Sequence, residues 1–172
     1  MKDRKRTKSQ LLVRRWVEFK WSKSALVIVH GFPSSSFDYH KTDLNQLAKF
    51  GNVLLYDQIG FGFSDKPTVD FTYSIFELAD HATMLFNQLD LTDIALISHD
   101  MGDTVCVELL KRQHRGILPG PLKIVGNAFT NGGMNFKYAR LRAAQWALRM
   151  PFGFGEGTVV LIDKFKLLLI LK

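Results

Sequence analysis

The feature that most constrains this chain is the apolar run Ile94-Ala95-Leu96-Ile97, followed at once by Ser98-His99-Asp100-Met101-Gly102. A strand that ends in this small-x-acid-x-small pattern passes into a helix through a tight turn. The central residue of such a turn is strained, and its flanks leave no room for bulk. Centred on Asp100, the flanks are Ser98 and Gly102, both small; centred on Ser98, they are Leu96 and Asp100, which would clash. The spacing therefore puts Asp100 at the tip. From the residues alone two roles stay open. Asp is a favoured cap for a following helix. It can also act as a nucleophile, because a carboxylate with an ordinary pKa of about 3.9 is anionic at neutral pH, whereas a serine must first lose its proton to a base.

The rest of the chain alternates between strand and helix signals. Ala25–Val29 is an apolar run of the kind found in buried parallel strands, and it leads through His30-Gly31-Phe32-Pro33 into a loop of small residues, Ser34 to Ser36. A helical stretch follows through Leu44, Leu47 and Phe50, then a strand over Val53-Leu54-Leu55-Tyr56-Asp57. Gly60-Phe61-Gly62-Phe63-Ser64 reads as a turn and not a phosphate loop, since no helix start and no Lys-Ser/Thr pair follows it. Ser74-Ile75-Phe76-Glu77 is a capping box that opens a helix through Leu78, Leu85 and Leu89. Beyond the turn at Asp100, the spacing predicts a helix from Met101 to Gln113. Gly116, Pro119, Gly120 and Pro121 then break the chain before a further strand over Lys123–Phe129. This alternation predicts an α/β fold, a mostly parallel sheet with flanking helices.

Three motifs in order, His30-Gly31-Phe32-Pro33, Asp57-Gln58-Ile59-Gly60-Phe61-Gly62-Phe63-Ser64-Asp65-Lys66-Pro67 and Ser98-His99-Asp100-Met101-Gly102, resemble the α/β-hydrolase fold. Together they look like its aspartate-nucleophile branch, the epoxide hydrolases and haloalkane dehalogenases. Tyr73-Ser74-Ile75-Phe76-Glu77 and Asn131-Gly132-Gly133 extend the likeness, which covers about residues 25–135. The resemblance implies Asp100 as nucleophile, forming an ester with the substrate, and the backbone N–H groups of Phe32 and Met101 as the oxyanion hole. It implies a small apolar substrate with an electrophilic carbon, and neither cofactor nor metal. Haloalkane dehalogenases usually place a Trp after the nucleophile as a halide donor; Met101 has no side-chain N–H, and Phe32 lacks the amide many of them carry in that loop. Epoxide opening is therefore the better analogy.

That family order continues with an acid and then a histidine on later strand ends. Only 43 residues follow Phe129, too few for a lid and two further strand-helix units, so the fold is expected to be partial, missing the C-terminal strands and most of the lid. None of the five histidines fits the role of base well. His114 lies at the far end of the outgoing helix, about 20 Å from the turn at 1.5 Å per residue. His81 reads as part of a helix face, His30 as a loop support, and His99 points away from its neighbour Asp100; His40, after the Phe32 loop, is a makeshift candidate. Asn131 is not a carboxylate. On this reading the chain lacks the acid and base needed for turnover, and a non-catalytic truncated product or interaction protein is the alternative.

Charge divides the chain into three parts. Residues 1–20 hold eight Lys/Arg against two acids and residues 140–172 six against two, while the middle carries nine against twelve, so the net charge of +7 belongs to the ends. Segment 1–24 reads as a solvated basic arm. Arg14, Arg15, Trp16, Phe19 and Trp21 match no nucleic-acid reader, and nucleic acid is not expected as a partner. Residues 25–135 form the hydrolase-like part, and 136–172 a lid-like helix, Arg140–Met150, with an apolar tail. That tail, Val159–Leu171, is broken by Asp163, Lys164 and Lys166 and is too short and charged to span a bilayer; surface contact with a membrane stays open. No signal peptide is visible, and the resemblance implies an intracellular place, in the cytoplasm or on the endoplasmic reticulum membrane. The single cysteine, Cys106, excludes an internal disulfide and reads as a core residue.

Overall fold

The computed structural model describes Val13–Val17 and residues 23–132. The lid-like helix at 140–150, the apolar tail at 159–171 and most of segment 1–24 fall outside the described residues.

Five strands, β1 (Val13–Val17), β2 (Ser24–Val29), β3 (Asn52–Tyr56), β4 (Asp93–His99) and β5 (Lys123–Thr130), form one sheet in the order β1-β3-β2-β4-β5. The last four run parallel, as the alternating pattern predicts; β1 lies antiparallel to β3. Its presence corrects the expectation of a solvated arm over 1–24. Val13-Arg14-Arg15-Trp16-Val17 lacks strict alternation, and the ladder to β3 absorbs this with an irregularity between Val13 and Arg15. Strand period is lost wherever a bulge adds a residue, which is why the pattern conceals this strand.

Between the strands lie α1 (Leu44–Ala48), α2 (Ile75–Gln88) and α3 (Met101–His114). α1 is shorter than the sequence suggests: it stops before Phe50, which is 92% exposed instead of continuing the apolar face. α2 begins at the capping box, with the Ser74 hydroxyl accepting from the Glu77 N–H. Alternate residues of the central strands feed opposite cores. Val27, Val29, Leu54, Tyr56, Ile94 and Leu96 pack with Leu78, Phe86, Val105 and Leu109 of α2 and α3. The other face is thinner, with Ile28, Val53 and Leu55 covered by Leu44 and Ala48. At about 1.5–3 kcal/mol for each large apolar side chain removed from water, the α2–α3 face contributes more than the other among the described residues. Arg112 adds a polar staple between those two helices by pairing with Asp80 and Glu108.

The consequence for function is positional. β2 and β4 are neighbours at the centre of the sheet, so the loop at Gly31-Phe32 and the turn into α3 emerge side by side at their carboxyl ends. Ligands of parallel α/β sheets bind outside this edge.

Candidate active site

Asp100 joins β4 to α3 with φ 53° and ψ −119°. A non-glycine residue held at such angles is strained by about 1–3 kcal/mol and persists only where surrounding contacts fix it. Here they do. The Asp100 N–H donates to Thr130 O at 3.2 Å, and its carbonyl accepts the Asp103 N–H at 3.1 Å. Its Oδ1 accepts two further backbone N–H groups, that of Met101 at 2.7 Å and that of Phe32 at 3.0 Å. Oδ2 has no hydrogen-bond partner among the described residues.

This is not how a helix cap is built. An N-cap residue has extended backbone angles and accepts from the second or third helical N–H; Asp100 has positive φ and accepts from the first, and from a loop 68 residues earlier in the chain. The two N–H groups expected at the oxyanion hole, those of Phe32 and Met101, thus converge on one oxygen of the expected nucleophile.

Two glycines permit the close quarters. A Cβ on Gly31 would sit 2.6 Å from the Asp100 Cβ. One on Gly102 would sit 2.6 Å from Val29 O and 2.7 Å from His30 O, so the small residue after the turn is required by the backbone of β2. Ser98, the other small flank, is fully buried. Phe32 is set by an edge-on contact of its ring with Phe61, which in turn meets the His30 ring edge-on.

The histidines are accounted for one by one. His30 is buried, donates from Nδ1 to Gly31 O and accepts the Gln58 N–H at Nε2. Both ring nitrogens are engaged, and burial lowers its pKa, so it stays neutral and structural. His40 stacks on Phe37 and donates to its carbonyl. His81 donates to Glu77 O and packs edge-on against Phe71. His99 lies against Gly31, and His114 ends α3. Among the described residues no imidazole is hydrogen-bonded to Asp100. Cys106 is no rival nucleophile, since burial pushes its thiol up to about 12. Among the described residues no three His, Cys, Asp or Glu side chains gather to hold a metal ion, and no helix is long and apolar enough to cross a membrane.

Two buried carboxylates around the turn are not marked as site residues by the sequence, although Asp57 opens the second motif. Asp57 is fully buried and accepts from the Ser36 N–H, the Ser36 hydroxyl and the Phe63 N–H, tying the loops after β2 and β3 together. Asp103, also fully buried, accepts the Ser98 hydroxyl and the Thr130 N–H at Oδ1. An acid in the first turn of a helix looks like an ordinary response to the helix dipole.

This strand–turn–helix geometry, on a parallel sheet, defines the class of protein. The chain belongs to the α/β-hydrolase fold family, whose model matches residues 24–123. Among individual proteins, it is 44% identical over 117 residues to the mesoderm-specific transcript homolog protein of Bos taurus, covering 66% of this chain and 34% of that protein. A haloalkane dehalogenase of Mesorhizobium japonicum is 29% identical over 152 residues, covering 84% of this chain and 46% of the dehalogenase. Of solved structures, haloalkane dehalogenase DatA from Agrobacterium tumefaciens C58 superposes with a TM-score of 0.64 at 24% identity, over 91% of this chain and 54% of that one. The chain therefore spans about a third of the length of its mesoderm-specific transcript relative and about half that of the dehalogenases.

Proposed function

We propose that Asp100 is the nucleophile of an ester-forming hydrolase site that accepts a small apolar substrate with an electrophilic carbon, an epoxide in preference to an alkyl halide. The observation that carries this reading is the asymmetry of its carboxylate: two N–H groups hold Oδ1, while Oδ2 accepts no hydrogen bond among the described residues. Oδ2, which no described N–H neutralises, is then the more electron-rich oxygen and the one able to attack. A new Oδ2–carbon bond forms as the epoxide carbon–oxygen bond breaks. The electron pair goes to the epoxide oxygen, which takes a proton from water. In the ester, Oδ1 becomes the carbonyl oxygen. If water later adds to that carbonyl, the negative charge develops on an atom that Phe32 and Met101 already face, and losing one such donor typically costs about 3 kcal/mol of transition-state stabilisation.

The preference for an epoxide follows from the two residues that supply the donors, since neither Phe32 nor Met101 offers a side-chain N–H to a leaving halide. Hydrolysis of the ester needs a base. With no imidazole hydrogen-bonded to Asp100 among the described residues, the ester is expected to accumulate on this chain. A second reading, an interaction role without catalysis, draws on β5: it stands at one edge of the described sheet with Val125, Asn127 and Ala128 exposed, an edge suited to pairing with another strand.

The test is incubation of the full chain with 1,2-epoxybutane and, separately, 1-bromobutane, followed by intact-mass measurement. The proposal expects one covalent equivalent from the epoxide and little from the bromide. No adduct from either reagent removes nucleophilic competence and leaves the interaction reading.

A further inference from the structure

We infer that Asp103 is the positioning residue that keeps Asp100 in its strained, attacking conformation. The inference rests on the reading of Asp100 as nucleophile and adds to it the residue that sets its geometry. Three hydrogen bonds close a ring around the turn. The Asp100 N–H donates to Thr130 O, the Thr130 N–H donates to Asp103 Oδ1 at 3.4 Å, and the Asp103 N–H donates to Asp100 O. The same Oδ1 accepts the Ser98 hydroxyl at 2.5 Å, and the Thr130 hydroxyl donates to Ser98 O at 2.6 Å. One carboxylate thus joins the end of β4, the end of β5 and the first turn of α3, the three elements that meet at Asp100.

Two more observations show that this carboxylate is fitted to its place. Among the described residues Asp103 Oδ2 is buried without a hydrogen-bond partner, an arrangement that stability alone does not favour. A Cβ on Gly132 would fall 2.0 Å from that oxygen, so the backbone after β5 lies flush against the carboxylate and only glycine fits there. Among the described residues no hydrogen bond joins Asp103 to the Asp100 carboxylate. It acts on the backbone, by holding φ of Asp100 positive so that Oδ1 meets Phe32 and Met101 and Oδ2 faces outward.

The experiment compares wild-type, Asp103→Ala, Asp103→Asn and Ser98→Ala chains in alkylation by 1,2-epoxybutane, reading the maximal rate separately from the half-saturating concentration. Backbone amide exchange is followed in parallel. Misplacing a reacting group by about 1 Å can cost 100-fold. Asp103→Ala is expected to lower the maximal rate at least about tenfold at unchanged half-saturation. Asp103→Asn keeps the Oδ1 acceptor for Ser98 and Thr130 and is expected to restore most of the rate. In Asp103→Ala, exchange should quicken at the Asp100 and Phe32 amides while the β2 and β3 amides hold. If Asp103→Ala does not fold, Ser98→Ala decides: slower alkylation with the fold intact supports the inference. A wild-type rate in that variant, an Asn variant as slow as Ala, or uniform loss of protection across the sheet overturns it. A wild-type chain that forms no adduct refutes the nucleophile reading, and amide exchange alone then decides the positioning role.

Discussion

α2 and α3 are both fourteen residues long and both begin at a polar residue that could cap a helix, yet their first turns are built to opposite ends. At α2, Ser74 has extended angles of −68° and 153°, its hydroxyl accepts the Glu77 N–H, and the Glu77 carboxylate reaches back to the Thr72 hydroxyl and N–H and the Ser74 N–H. Each bond there lies within six residues of chain, and the result is local stability. At α3, Asp100 takes positive φ and its carboxylate is shared with a loop from β2. Local preference is overridden by contacts from distant strands, and the conflict sits where chemistry is proposed. A polar residue before a helix therefore has two meanings, which its backbone angles and the origin of its donors tell apart.

The sharpest way to break this comparison is to place valine at the second residue of each helix. Gly102→Val puts a side chain into Val29 O and His30 O, and a loss of about 3 kcal/mol or more is expected in urea unfolding. The second residue of α2, Phe76, is 57% exposed, and Phe76→Val should stay within about 0.5 kcal/mol. Equal effects at the two sites would contradict the account.

Removing the residue that precedes each helix is expected to give different outcomes. Ser74→Ala should cost about 1 kcal/mol, the usual loss of a good cap. Asp100→Gly removes hydrogen bonds but relieves a positive φ that glycine adopts freely, so thermal unfolding should show no loss, or a gain. A drop at Asp100→Gly as large as that at Ser74→Ala would mean that Asp100 is a cap after all.

The smallest expected effect is on the acid side of pH. The Thr72 hydroxyl above all, with the Thr72 and Ser74 N–H groups and the Ser74 hydroxyl, holds the Glu77 carboxyl below its usual value near 4.5. Because that pKa is depressed on folding, its stabilising contribution is present above the unfolded value and is lost as pH falls through the folded one. The melting difference between wild type and Glu77→Gln should therefore be full at neutral pH and close as the pH drops below 4.5. A difference independent of pH would remove the charged capping box from the account.

Much of this architecture is readable in the sequence, for reasons that particular residues show. β2, β3 and β4 are apolar runs because their alternate residues feed two cores, and α2 is marked at its start by a capping box whose bonds are local. The turn at Asp100 is readable because its steric demand falls on Gly102, although the backbone that imposes the demand belongs to β2. What stays hidden depends on partners far along the chain. β1 is concealed by its bulge, and α1 ends before the apolar Phe50 that seems to extend it by spacing. Asp103 and Thr130 meet across 27 residues through a backbone N–H, a contact with no local signature.

The most direct test of the central claim, that the strained Asp100 presents a carboxylate oxygen for attack, is to locate the adduct. After exposure of wild-type and Asp100→Asn chains to 1,2-epoxybutane, proteolysis and peptide fragmentation should place one ester on Asp100 in the wild type and none in the variant. An adduct of equal yield in Asp100→Asn, or one mapped to a different carboxylate of the wild type, would contradict the account.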